Sequence, residues 1–360
     1  MTQREQEILR LIESDPMIQQ HEIAEILGIA RSSVAVHISN LIKKGYIAGK
    51  GYVLRSGSYA VVIGGVNIDI GGRSFAPLIP ADSNPGTVSL SLGGVGRNIA
   101  HNLSLMGADV YLMASYGDDL YGQQVVASCA NLGIDLSHGL KVPGGTTSTY
   151  LYLTDEQGEM ALAVSDMSIC EKVTPEYLAE HLSLLQNARV VVADTNIPAE
   201  SLRYLAENVT APLFIDPVST TKAEKVRPIL GKIHTLKPNR LEAELLSGIP
   251  LHDRGDVKLA ADKLLSTGLK RVFISLGADG IYAAGQDEQF RMENIPGSMV
   301  NTTGCGDASM AAIVWAWLEQ LDLRGSARAG LAAGSIAMES GQTINPHMSA
   351  QALKERMGNV

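Results

Sequence analysis

Cysteine is scarce in this 360-residue chain, with Cys129, Cys170 and Cys305 the full complement. An odd count with no metal-ligand spacing excludes a disulfide framework and a cysteine metal site, and predicts reduced thiols in a cytoplasmic protein. Long apolar runs are missing as well. Hydrophobic residues make up 45% of the chain, but they never run uninterrupted for the ~20 positions a membrane span needs, so no membrane partner is expected. The N-terminal TQREQEILR lacks a secretory pattern. Positive charge is also short: a net charge of −9 argues against coating nucleic acid by bulk electrostatics. What remains is an acidic chain long enough for one large core and a small module.

The charge is divided unevenly. Residues 1–57 carry seven Lys/Arg against six Asp/Glu, and the remainder carries 22 against 32. The break falls at RSGS, Arg55 to Ser58, a short flexible junction. The expected division is therefore 1–54, a linker at 55–58, and 59–360.

The first segment reads as a winged helix-turn-helix. Thr2 and Glu5 fit a capping box, and Ile8, Leu9, Leu11 and Ile12 form the apolar face of a first helix. A second helix is expected near His21–Leu27, with Ile23, Ile26 and Leu27 inward and Gly28 supplying the turn. A third, about Arg31–Lys44, buries Val34, Ile38, Leu41 and Ile42. KKGYIAGKGYVL, Lys43 to Leu54, then gives two short strands around Gly49, Lys50 and Gly51, a wing. Arg31, Ser32, Ser33 and His37 lie on the leading face of the third helix, bordered by Lys43, Lys44 and Lys50. That placement suits reading a DNA major groove and touching phosphates, commonly as a dimer. The near-neutral total leaves a second reading open, a module for dimerisation or regulation.

From Tyr59 onward, strand and helix signals alternate. Strands are expected at 60–64, 110–114, 190–193, 213–216 and 272–276, with amphipathic helices near 97–106, 121–132, 199–208 and 257–266. This is the pattern of a mostly parallel sheet covered on both faces, with ligands beyond the carboxyl ends of its strands. The stretch NTTGCGDA, Asn301 to Ala308, sets Gly304, Cys305 and Gly306 before Asp307 and an Ala-rich helix expected over Ala308–Gln320. Backbone amides at such a helix start favour a phosphate. Asp307 is then suited to take a proton from a hydroxyl attacking that phosphate.

NTTGCGDA resembles the C-terminal signature of ribokinase-like (PfkB) carbohydrate and nucleoside kinases. Other motifs of that family follow in order: GGVNID at Gly64–Asp69, GGVGRN at Gly93–Asn98, IDP at Ile215–Pro217, KPNRLE at Lys237–Glu242 and SLGADG at Ser275–Gly280. The resemblance spans Tyr59 to the C-terminus. It implies a three-layer α/β/α fold with a small β lid, about 71–92 and 146–164, that often pairs with the lid of another subunit; a homodimer is therefore expected. Asn67 and Asp69 follow a strand and are candidates for meeting sugar hydroxyls, as are Gly94 and Asn98 before a helix. The family uses the Asn239–Glu242 pair to organise water-bound Mg²⁺ and phosphate oxygens, and lays Ser275, Gly277 and Gly280 along ATP, with Gly306 beside them. Its usual Asp at the head of the final motif is Asn301 here, and that position with Thr303 belongs to a monovalent-cation site, so K⁺ is a candidate activator. Cys305 stands where Ala is commoner.

Within the family, ADSNPG at Ala81–Gly86, VSDM at Val164–Met167 and IHTLKPNRLEAE at Ile233–Glu244 are most similar to bacterial pseudouridine kinases. That similarity implies a ribonucleoside phosphorylated on its 5′-hydroxyl, and it alone makes Asn84, Thr149 and Asp166 candidate lid and base contacts. The added N-terminal segment leaves room for inosine, another ribonucleoside or a free sugar. Two classes of function follow: a nucleoside kinase with a regulatory module, or a ligand-responsive transcription factor using a kinase fold as its sensor. Intact Asp307, Gly304, Gly306, Asn239 and Glu242 favour catalysis.

Overall fold

Thr2 opens helix α1 (Gln3–Ser14) with the expected box: its hydroxyl accepts from the Glu5 amide, and the Glu5 carboxylate accepts from the Thr2 amide at 2.7 Å. In this computed structural model, which describes residues 1–47 and 58–358, α2 (Gln20–Leu27) ends at Gly28 in the left-handed region and α3 (Arg31–Lys43) follows. Residues 48–54 of the expected wing, Lys50 among them, and most of the junction lie outside the described residues, while Lys43, expected to begin the wing, ends α3. Ile8, Ile12, Ile23, Val34, Ile38 and Leu41 close a small core. Ile26 and Ile42, expected inside, are instead 60% and 45% exposed. At about 100° per residue, Ile26 falls outside the arc of Ile23, Ala24 and Leu27, and Ile42 outside that of Val34, Ile38 and Leu41. Lys44, expected to border the DNA face, is turned back to pair with buried Glu5 at 2.8 Å.

Beyond the junction, β1 (Tyr59–Ile63) leads to β2 (Asn67–Ser74), β3 (Gly86–Gly93), α4 (Val95–Leu105) and β4 (Asp109–Met113). β5 (Ser115–Gly117) and β6 (Leu140–Val142) pair on either side of α5 (Leu120–Asn131). Next come β7 (Thr149–Thr154), β8 (Met160–Asp166), α6 (Pro175–Glu180), α7 (Leu182–Asn187), β9 (Val190–Asp194), α8 (Ala199–Asn208) and β10 (Leu213–Asp216). α9 (Thr220–Ala223), β11 (Thr235–Leu236), α10 (Arg240–Ser247), α11 (Arg254–Leu265) and β12 (Arg271–Ser275) follow, then β13 (Ile281–Ala284) and β14 (Gln289–Met292). Helices α12 (Cys305–Leu318), α13 (Leu323–Ala337) and α14 (Ala350–Gly358) come last.

Eight strands form one sheet in the order β14-β13-β12-β11-β10-β9-β1-β4, parallel from β12 to β4 and antiparallel at the other edge. Alternate residues feed the two cores on its faces: Ala60 and Val62 enter one, Val61 and Ile63 the other. Both faces being covered explains why these strands read as continuous apolar runs. α12 is buried from Ala308 to Ala316, because it is wedged between the sheet, α4 and α13 and has no solvent face to keep polar. The result is the three-layer arrangement expected from the sequence.

The lid is a separate sheet in the order β3-β2-β7-β8. Its register sets Ser91, Asp69, Tyr150 and Ser165 in one cross-strand row. Thr149 and Asp166 belong to the neighbouring row with Leu92 and Ile68, on the opposite face. They therefore do not share a face with Asp69, since successive strand residues point to opposite sides.

Candidate active site

The carboxyl ends of the parallel strands gather polar groups at one end of the sheet. Asp194 closes β9 directly beside Asp216 at the end of β10. Lys237 and Asn239 follow β11, and Asn239 bridges to Ser275 at the end of β12. The turn after β1, Gly64 to Val66, leads into β2, which opens with Asn67 and carries Asp69. Facing these ends is the start of α12, where Gly304 caps the helix at φ +84°. A side chain there would collide with the Thr343 carbonyl oxygen, so the turn that aims the helix at the site requires glycine.

Asp307 lies in the first turn of α12, half-buried. Its carboxyl is pushed up to about 7 by its enclosure, helped by the charges of Asp216 and Asp194, while Asn98 and Lys237 pull the other way. Asn98, expected to point only at sugar, donates from Nδ2 to Asp307 Oδ2 at 2.8 Å. That bond fixes one carboxylate oxygen and leaves the other for a proton. Lys237, given no role in the sequence reading, is buried and pairs with Asp216 at 3.2 Å.

On the lid side, Asn67 Nδ2 donates to Asp69 Oδ1 at 2.6 Å. Burial raises the Asp69 pKa above the usual carboxylate value, while Asn67 and Arg97 work against it. Two residues that sequence reasoning missed hold this side together. Asp194 is fully buried; its Oδ2 accepts from Gly65 N at 2.9 Å and Gly96 N at 2.7 Å, its Oδ1 from Asn196 N at 2.8 Å. A side chain at Gly64 would strike that carboxylate. Asn196, itself buried, takes Lys222 Nζ on its oxygen at 2.5 Å. The sequence offers only Asp194 and Asn196 as polar residues closing an apolar run, with nothing local to mark the distant amides that Asp194 holds. Other candidates are engaged elsewhere: Asn84 holds Ile79 and Asp82 in its own loop, and Asp166 accepts from Ser168.

The nucleotide candidates converge. Ser275, Gly277 and Gly280 of the β12–β13 turn, with Cys305 and Gly306, line a cavity of about 460 Å³ closed by small residues of α13, Gly330 and Gly334. The Cys305 thiol is raised by burial and by Asp307. Asn239 and Glu242 form a capping box of α10, at 2.9 and 2.8 Å, which uses only Oε2 of the buried Glu242. Among the described residues no cluster of three His, Cys, Asp or Glu could hold a metal directly. The Glu242 Oε1 left out of the box suits water-mediated contact with a metal carried on phosphates. The residues fit a bare monovalent cation less well. Asn301 Oδ1 accepts from Thr303 N at 3.0 Å, which turns its Nδ2 toward the Gly341 carbonyl at 3.5 Å, a donor where a cation needs an oxygen. On α3, Arg31, Ser32 and Ser33 are exposed and His37 is half-buried.

A glycine-capped helix start facing a carboxylate, a nucleotide-sized cavity and a polar lid define an ATP-dependent phosphotransferase with an alcohol acceptor. The pfkB family carbohydrate kinase model matches residues 58–350 and a winged helix-turn-helix DNA-binding model residues 1–48, and the chain belongs to the pfkB family. It is 40% identical to the uncharacterized sugar kinase YeiI of Escherichia coli (strain K12), covering 97% of both chains. It is 43% identical to the pseudouridine kinase of the same organism, over 82% of this chain and 95% of that one. The structure of a carbohydrate kinase from Agrobacterium tumefaciens superimposes with a TM-score of 0.73 at 26% identity, covering 84% of this chain and 98% of that one. Among the described residues no helix is long and apolar enough to cross a membrane.

Proposed function

We propose that the protein transfers the γ-phosphoryl group of Mg·ATP to the 5′-hydroxyl of a ribonucleoside, with pseudouridine the first candidate. The observation that carries this reading is Asp307: a carboxylate raised to about 7, braced by Asn98, at the amide-rich start of α12. Asp69 and Asn67 orient the ribose hydroxyls, and Asp307 takes the proton of the attacking one. The amides of Gly304, Cys305 and Gly306 face the charge that develops on the transferred group. Asn239 and Glu242 would order, through water, a magnesium ion carried by the nucleotide, which would supply neutralisation of phosphate charge. The relative at 43% identity supports a nucleoside over a free sugar.

ATP turnover screened across pseudouridine, inosine, other ribonucleosides and free sugars tests the substrate. Asp307→Asn should retain ATP binding and lose about 10³-fold or more in kcat, the scale of removing a general base; near-normal turnover would overturn the base assignment. The exposed Arg31, Ser32 and Ser33 on α3 favour DNA binding by the N-terminal segment as an added role, tested by filter binding to the chain's own promoter region.

A further inference from the structure

Lys237 opens KPNRLE and has no part in the steps above. It is 4% exposed. An ammonium carries three donors, and among the described residues Asp216 is its one ionic partner, at 3.2 Å. Two donors are thus left without a protein acceptor, in a setting where a buried charge costs several kcal/mol unless it is paired and hydrogen-bonded. Where the ammonium lies is marked by Gly306: a Cβ built there would meet Lys237 Nζ first, at 3.8 Å. The ammonium therefore lies against the opening turn of α12, next to Asp307, with no side chain between. Asp216, Glu242 and Asp307 all act to keep it protonated against the effect of burial. Three carboxylates around one cation make poor surroundings for a polyphosphate unless that cation is turned toward it.

We propose that Lys237 is a catalytic residue, its ammonium donating to oxygens of the phosphoryl group during transfer alongside the α12 amides. The acceptor oxygen bonds phosphorus as the bond to the β-phosphate oxygen breaks, its electron pair leaving on ADP. The hydroxyl proton goes to Asp307. Lys237 keeps its own proton throughout and supplies charge, the part a lysine plays as a point charge on phosphate. Asp216 holds it in place before the nucleotide arrives.

This inference rests on the kinase chemistry and not on which nucleoside is used. Rates of the full-length variants are taken relative to wild type on whichever compound of the panel turns over, so a wrong nucleoside leaves the test intact. Lys237→Met should lose on the order of 10²–10³-fold in kcat, the cost of one charge-stabilising donor. It should weaken Mg·ATP more than Mg·ADP and leave the acceptor KM within about 3-fold. Lys237→Arg should recover part of the rate. Asp216→Asn/Lys237→Met removes both members of the ion pair, and it is the variant measured should Lys237→Met fail to fold. A double variant still at least about 30-fold slow supports the proposal; one within about 3-fold of wild type overturns it, as does equal loss of ATP and ADP binding.

Discussion

Asp307 sits where opposed fields meet. Enclosure and the nearby carboxylates raise its proton affinity, and Asn98 and Lys237 lower it, with a balance at about 7. A base must be ionised to act, so kcat/KM for the acceptor should fall about tenfold per pH unit below pH 7 and level off above it. The same shift has a cost in stability. A carboxyl whose native pKa lies above its unfolded value leaves the fold unaffected below about pH 4. It destabilises progressively from there to about 7, and fully above. Asp307→Asn should therefore raise Tm at pH 8 and leave it unchanged at pH 4. Equal shifts at both pH values would mean that the carboxyl is not perturbed as described. These two profiles separate the residue's chemistry from its packing, because turnover and Tm move in opposite directions.

At the scale of elements, Asp194 is the joint. Its carboxylate binds the amide of Gly65 in the turn after β1 and that of Gly96 in the first turn of α4. The turn leads into Asn67 and Asp69 of β2; the helix carries Asn98, and through it Asp307. Asp194→Asn keeps the shape but points an N–H₂ at backbone donors. Hydrogen bonds to a charged group contribute about 1.5–3 kcal/mol each, so Tm should drop by several degrees. The acceptor KM should rise about tenfold while the ATP KM stays level, because the cavity of the β12–β13 turn is not held by this residue. A variant that loses stability with both KM values unchanged would reduce Asp194 to a core group. The sequence told the elements from their connections well: strands at 213–216 and helices at 199–208 fall where period and breakers put them. Side-chain facing was less legible. Thr149 and Tyr150 are neighbours in sequence, and only pairing with β2 decides which of them shares a face with Asp69. Asp194 was missed for a related reason. Its work is with backbone amides brought together from two distant turns, and no local pattern reports that. Ile26 and Ile42 were misplaced because short helices bury a narrow arc and apolar identity alone does not say which edge is inside.

Across the whole molecule, the lid's free face is the feature without a partner. Leu90, Ile70, Leu151 and Val164 make one cross-strand row and Val88, Gly72, Leu153 and Leu162 the next, on the side away from Asp69. Leu90, Val88, Leu162 and Val164 are each more than half exposed. Two adjoining rows of apolar side chains on an open sheet are more than a lone monomer ordinarily leaves in water. The expected homodimer would set a second copy of the same sheet on them, as an isologous contact does. The N-terminal segment is tied to the kinase body through Tyr46 Oη, which donates to Asn187 Oδ1 at 2.8 Å, so pairing of lids would carry two copies of α3 together. Two-fold pairing matches the symmetry of operators read by such helices. In a homodimer joined at this face, Leu90→Glu/Leu162→Glu should give a folded monomer by sedimentation, since both positions are exposed in a single copy. If promoter binding depends on that pairing, the same variant should lose about 10²-fold in DNA affinity at fixed salt, because a linked second site raises avidity by such factors. A variant that stays dimeric would move the subunit contact off the lid, and a monomer with undiminished DNA affinity would confine recognition to a single N-terminal segment.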